Sequence, residues 1–327
     1  MTVGRTVVPR AKSIELADGA MLTVAILWAS NNVITKAALD RGLEPLIYIL
    51  LRFALVAVLL FPYLWLRHVP LRVRRADLPR FIVSGLCGFT FYNWLYIVGL
   101  SHTSAFSAAI LVALAPIFIL LMSAAFGLER VQRLQWAGVA ISFFGVAVFI
   151  GDKLLAGEPA LGDLLNLFAA LCFAVYTLTT KPLVRRYGPE TTTAWAVLIG
   201  LIGIIPFTAG AVRTEQWGEV TGLEWFAIAW AAIVSVMIGY SLWSWAIART
   251  GAGRSVPYLF LIPVFTGLFS VVFRNDHLEA AQLIGGSIAL AGVALARKSA
   301  RAETIIPDEE TGIAPNPESK PRVMPGL

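Results

Sequence analysis

Ten apolar runs, each about as long as one bilayer crossing, dictate what this chain can fold into. They cover about 20–38, 46–66, 80–100, 105–127, 133–151, 161–181, 191–211, 223–248, 255–273 and 279–296. Hydrocarbon offers no water to backbone N–H and C=O groups, so a lipid-embedded segment is either a helix or a strand of a closed barrel. Barrel strands need only about ten residues of alternating hydrophobicity, whereas solid runs near twenty predict helices. The expected fold is an all-α membrane protein with ten transmembrane helices. Composition agrees, with 58% of the 327 residues hydrophobic and 14% charged, against roughly 25% charged in soluble domains. The short connections leave no room for a soluble catalytic or nucleotide-binding domain.

Ten crossings return the chain to its starting side. Of the 26 Lys and Arg residues, 20 fall in the termini and loops of that side. The opposite side holds Lys36, Arg41, Lys153, Arg213 and Arg274, and Arg52 alone lies well inside a run. Because basic residues accumulate in cytoplasmic loops, both termini are predicted to be cytoplasmic. The net charge of +6 follows from that bias, and no nucleic-acid partner is expected. Arg5, Arg10 and Lys12 precede the first run as in a signal peptide, but no small-residue cleavage site follows it, so it reads as an uncleaved span. Cys87 and Cys172 lie in apolar runs and make neither a disulfide framework nor a metal-ligand spacing. Charges and five prolines between Ala302 and Leu327 predict disorder.

Sliding the second half over the first by 147 positions aligns Pro116 with Pro263, Ser123 with Ser270, Gln135 with Gln282, Gly138 with Gly285 and Gly145 with Gly292. Trp28 and Lys36 lie over Phe173 and Lys181 at a slightly smaller shift, and Pro45 and Pro62 lie over Pro189 and Pro206. The expected organisation is a cytoplasmic segment (1–19), a five-helix repeat (20–151), a linker (152–160), a second repeat (161–298) and a disordered cytoplasmic tail (299–327). An odd number of spans per repeat inverts the second copy, an arrangement typical of secondary transporters and shared by some channels.

The chain resembles the EamA-type ten-helix branch of the drug/metabolite transporter superfamily. The resemblance rests on Trp28-Ala-Ser-Asn-Asn, Leu51-Arg52-Phe53, Leu114-Ala115-Pro116, Gly127-Leu128-Glu129-Arg130, Gly138 and Gly145. It implies a basket-like fold around a cavity lined by spans 1, 3, 4, 6, 8 and 9. It also implies export of small metabolites, often amino acids, across a bacterial inner membrane.

Polar side chains inside hydrocarbon must face a partner or a cavity. The candidate substrate-binding residues are Trp28, Asn31, Asn32, Tyr92, Asn93, Tyr96 and Ser107 in the first repeat, and Tyr176, Tyr240, Trp243, Ser244 and Tyr258 in the second. Tyr92, Asn93 and Tyr96 share one helix face by their spacing of three and four, as do Tyr240 and Ser244. Tyr92, Asn93 and Tyr240 lie too deep for an interfacial aromatic belt. Trp243 reads equally well as lipid-facing, and Asn31 and Asn32 either line the cavity or join helices at about 1 kcal/mol per hydrogen bond.

Arg52 stands about 10 Å along its helix from the span end. It either snorkels, binds helix-end carbonyls or anchors a carboxylate. Lys36 and Lys181 have snorkelling as their ordinary role. Pro116 and Pro263 each remove a helical hydrogen bond and mark candidate breaks, while Gly88 and Gly239 allow either bending or close approach. No Asp or Glu lies deep in a run, and His68, His102 and His277 sit in loops or at span ends. Neither a proton relay nor an intramembrane enzyme is expected, nor any cofactor or metal. The partners are membrane lipids and a small-molecule substrate, for which a neutral or aromatic amino acid fits. A channel-like or lipid-handling protein is the alternative.

Overall fold

The computed structural model describes residues 11–127, 131–155, 157, 159–215, 217–250 and 258–304, and among them every regular element is helical. The first two runs form α1 (Ala11–Asp40) and α2 (Pro45–Leu66). The third is a composite of α3 (Leu78–Gly85), a π-helical stretch (Leu86–Phe91) and α4 (Tyr92–Ser101). The fourth breaks into α5 (Ala105–Val112) and α6 (Ala115–Ala125), and α7 spans Arg133–Leu155. The sixth and seventh runs lie in α8 (Leu161–Thr214), where Gly188, at φ 80° and ψ 164°, separates two helices. The eighth run is α9 (Gly222–Ala229), a second π stretch (Trp230–Gly239) and α10 (Tyr240–Thr250). Then come α11 (Leu261–Arg274) and α12 (Ala280–Thr304). Seven helical stretches are long and apolar enough to cross a membrane, with Leu261–Arg274 and Ala280–Ala296 shorter.

Three helices run past the apolar runs. Helix α1 begins at Ala11, within the expected cytoplasmic segment; α7 runs to Leu155, into the expected linker; and α12 runs to Thr304, into the expected tail. A nucleated helix propagates through polar residues without needing burial, and hydropathy does not register that. Residues 305–327, where disorder was predicted, lie outside the described residues.

Side-chain caps set several helix starts. Glu44 accepts from the Ile47 amide (3.0 Å) ahead of Pro45, and Ser104 accepts from the Ser107 amide (3.0 Å). Thr221 and Glu224 form a reciprocal capping box. Such caps satisfy amides that have no partner within the helix.

The two repeats meet along α7 and α12. A Cβ at Gly138 would stand 2.6 Å from the Gly292 oxygen, and one at Gly285 would stand 2.7 Å from the Gly145 oxygen. Because 138 faces 292 while 145 faces 285, the helices run antiparallel, and each glycine faces a position taken from the other pair of the repeat. Between them Ser142 Oγ donates to the Ala289 oxygen (3.0 Å). Those two positions differ by the repeat shift itself, so a pseudo-twofold axis passes between them and the second repeat is inverted relative to the first. Gly145→Leu, which drives a side chain into the Ala289 backbone, should cost at least about 1–3 kcal/mol. Gly151→Ala, with open space around it, should stay within about 0.5 kcal/mol. Thermal unfolding in detergent checks both, and equal melting temperatures would refute this account of the crossing.

Candidate functional site

Both π stretches end immediately before a tyrosine, Tyr92 in the first repeat and Tyr240 in the second. Such stretches are rare and concentrate at functional sites. Each also holds one of the candidate hinge glycines, and both glycines serve close approach. The Tyr176 ring occupies the space a Cβ on Gly88 would need, and a Cβ on Gly239 would stand 2.7 Å from Trp28 Nε1. That indole nitrogen donates to the Ser235 oxygen (3.1 Å), inside the second stretch.

Aromatic rings continue from there. Trp28 lies 5.2 Å from Tyr240 and 5.8 Å from Trp243, and Phe173 lies 5.3 Å from Tyr92 and 5.7 Å from Tyr176. Trp28 and Phe173 are repeat equivalents, and each meets the tyrosine that follows a π stretch. Tyr92 also stacks on Tyr96 (5.8 Å). Tyr240 is 53% exposed, and Trp28, Tyr92, Phe173 and Tyr176 are each half-buried, so these rings border the candidate void between the repeats.

A polar network backs the rings. Asn32 accepts from Tyr96 OH (2.7 Å) and donates to Thr266 Oγ1 (3.3 Å), joining α1, α4 and α11. Asn31 is buried, and its Oδ1 has no partner. Arg52 donates through Nη2 to Asn93 Oδ1 and lies over the rings of Tyr48 (5.4 Å) and Phe53 (4.7 Å). The Asn93 amide in turn donates to the oxygens of Gly88 (3.2 Å) and Phe89 (3.1 Å), within the first π stretch. Tyr48 shares a hydrogen bond with Thr35 (2.7 Å).

Other candidates fall elsewhere. Ser107 is fully buried and engaged with Ser104 at the α5 cap. Tyr258 packs with Trp243 against Met21 and Ala246, and the Ser244 side chain lies outside the described residues. Lys36 is buried, donating to the Ser101 oxygen (3.1 Å) and paired with Asp40 (2.8 Å), whereas Lys181 is exposed. Helix breaks at 113–114 and at Phe260 each precede the proline, and the two sites are separated by the repeat shift. Tyr48 and Phe89, which sequence reasoning missed, sit in solid apolar runs, where nothing distinguishes a ring facing a network from one facing lipid. Among the described residues no three His, Cys, Asp or Glu side chains gather as a metal site.

Contacts between spans gather at one end of this candidate void. The links from α1 across to the second and third spans, Lys36–Ser101, Thr35–Tyr48 and Asn32–Tyr96, all lie in the half of α1 nearer Asp40. A core cluster including Leu39, Tyr48, Leu100, Ala108 and Ile228 seals the same half. Contacts are present toward the other end as well. Ser84 pairs with Thr180 (2.5 Å) and Arg186 with Asp77 (2.9 Å), while α1 packs against α10 through Met21 and Ala246.

Residues 16–151 and 160–297 each match the EamA-like transporter family. The chain belongs to that family. This EamA-like transporter is 29% identical over 283 residues to a probable terminal-alkyne amino-acid exporter of Streptantibioticus cattleyicolor, covering 84% of this chain and 91% of that one. It is 26% identical over 291 residues to a probable amino-acid metabolite efflux pump of Escherichia coli, covering 84% and 93%. A solved crystal structure shares the fold with a TM-score of 0.60 at 22% identity, over 90% of this chain and 98% of the other. The protein is thus an integral membrane transporter of small molecules and not an enzyme.

The two kinds of tyrosine should separate on truncation. Tyr48→Ala, at a fully buried position bonded to Thr35, should cost about 3–5 kcal/mol, as large core truncations do. Tyr240→Ala, at the edge of the void, should cost less than half as much. Melting temperatures in detergent test the contrast, and a Tyr240→Ala protein as unstable as Tyr48→Ala would place Tyr240 in the packing instead.

Proposed function

We propose that this EamA-like transporter exports zwitterionic metabolites, foremost neutral or aromatic amino acids, across a bacterial inner membrane. In this reading the chain crosses ten times, both termini are cytoplasmic, and two inverted five-helix repeats alternate access to the void. The observation that carries it is the pair of ring contacts made by the repeat equivalents Trp28 and Phe173, Trp28–Tyr240 and Phe173–Tyr92, beside the candidate void. Ring faces suit an apolar or aromatic side chain, and the amides and hydroxyls of Asn31, Asn32 and Tyr96 suit the polar ends. The relatives' names as amino-acid exporters support the substrate class. The 20-to-5 distribution of basic residues supports the orientation.

With the termini cytoplasmic, the sealed end faces outward. There Asp40 pairs with Lys36 (2.8 Å) and Arg274 (2.5 Å), and Arg274 also meets Asp276 (3.2 Å). These contacts break when the inverted repeats exchange conformations and the void opens outward. No Asp or Glu lies deep in an apolar run, so the cycle runs without proton coupling through a buried acid.

Two measurements test this. Proteoliposomes loaded with the twenty amino acids should lose aromatic or other neutral ones selectively at zero proton gradient. Tyr92→Ala and Tyr240→Ala should each slow that loss about fivefold or more, as expected for a lost ring contact of about 1 kcal/mol. Amino-acid retention matching that of empty vesicles would overturn the substrate class, and single-channel currents or lipid scrambling would replace export. For the gate, a cysteine at Leu39 should react a few-fold faster with an impermeant thiol reagent once Asp40→Asn removes its ion pairs. An unchanged rate would mean those pairs do not hold the outer end shut.

A further inference from the structure

We propose that Arg52 is the anion anchor of the transport site, so that the transported molecule is selected for a carboxylate rather than for its ammonium group. The inference rests on the export reading for its substrate but not for its chemistry.

Arg52 lies about 10 Å along α2 from Pro45 and is only 7% exposed. A charge at that depth is expensive unless an opposite charge meets it. Of the two buried cations among the described residues, Lys36 is paired with Asp40, while Arg52 makes no ion pair. Its surroundings are neutral, consisting of Asn93 and the faces of Tyr48 and Phe53. Among the described residues Nη2 alone of the guanidinium nitrogens donates to a protein group. Nε is sealed without a partner, and Nη1 donates to nothing among the described residues. The protein therefore holds a full positive charge with donor capacity to spare, and a guanidinium is built to satisfy a carboxylate.

The fold does not require this charge. The register that sets Pro45 on Pro189 and Pro62 on Pro206 sets Arg52 on Ala196, which is buried to the same degree in the second repeat. Position also favours a ligand. Asn93, the partner of Nη2, follows Tyr92, which stacks on Tyr96 (5.8 Å), so the guanidinium lies beside the ring cluster. Asn93, which orients the guanidinium, is itself tied to the Gly88 and Phe89 carbonyls of the first π stretch. A shift in that stretch, as the repeats exchange conformations, therefore moves the anchor with the site.

The test uses three probes that share one ring: phenylalanine, its decarboxylated analogue phenethylamine and its deaminated analogue 3-phenylpropanoate. Calorimetric binding to the purified full-length chain in detergent should favour the two carboxylates about tenfold or more over the amine. Arg52→Gln should bring all three within about threefold of one another, and Arg52→Lys, keeping the charge, should restore part of the preference. Arg52→Gln should also melt no lower than the parent, because it removes an uncompensated buried charge. A carboxylate preference that survives Arg52→Gln overturns the proposal, as does a parent that binds none of the carboxylates. Chloride alone competing as well as phenylpropanoate also overturns it, by making the site a resting place for inorganic anions. If amino-acid efflux fails while phenylpropanoate binding depends on Arg52, the export reading falls and the anchor stands.

Discussion

Hydrocarbon cannot hydrogen-bond, and every departure from regular helix in this protein has to answer for the backbone groups it releases. The answers are specific. In the first π stretch the Gly88 and Phe89 oxygens are taken up by the Asn93 amide, and in the second the Ser235 oxygen is taken up by the Trp28 indole. Side chains that pay this debt are thereby fixed in place, and they are the ones that border the void. Irregular backbone and a binding site thus arise together, because a loosened helix is tolerated only where polar side chains gather, away from lipid.

The α7–α12 crossing gives those gatherings their symmetry. Glycines let two helices approach until backbone meets backbone, and the contact is made by equivalent positions of the two repeats. Dispersion over such a close antiparallel seam offers a rigid axis. Around it, the repeat equivalents Trp28 and Phe173 each meet a tyrosine, Tyr240 and Tyr92. The symmetry is one of architecture more than of residues, since a tryptophan stands in for a phenylalanine and an arginine for an alanine. Where the repeats differ, a property of the solute rather than of the fold is being met.

Much of this was legible in the sequence because its signals are physical and local. Apolar runs report the solvent, Lys and Arg report the side, and a shift that superposes Pro116 on Pro263 reports the duplication. Tyr92, Asn93 and Tyr96 could be read as one face because spacing maps directly onto a helix surface. What stayed hidden depends on partners far away in sequence. Lys36 and Lys181 look alike in the repeat register, yet only Lys36 has Asp40 one turn on and Arg274 across the bundle. Gly88 reads as a hinge until the ring of Tyr176 is seen to fill its place. Tyr48 is one more apolar-run residue until Thr35 and Arg52 are placed beside it.

The cluster of Lys36, Asp40, Arg274 and Asp276 is not repeated at the equivalent positions. In the repeat registers Asp40 falls opposite Arg185 and Arg274 opposite Gly127, so those positions cannot form the same ion pairs at the far end of the bundle. Two conformations related by an inexact symmetry are not equal in free energy. With three solvent-touching pairs contributing about 0–1 kcal/mol each, the populations differ by up to about a hundredfold. The bias fades as ionic strength rises on that face, because such charges are screened. It makes the half-saturating solute concentration differ between the two membrane faces, while the direction of net flux still follows the solute gradient.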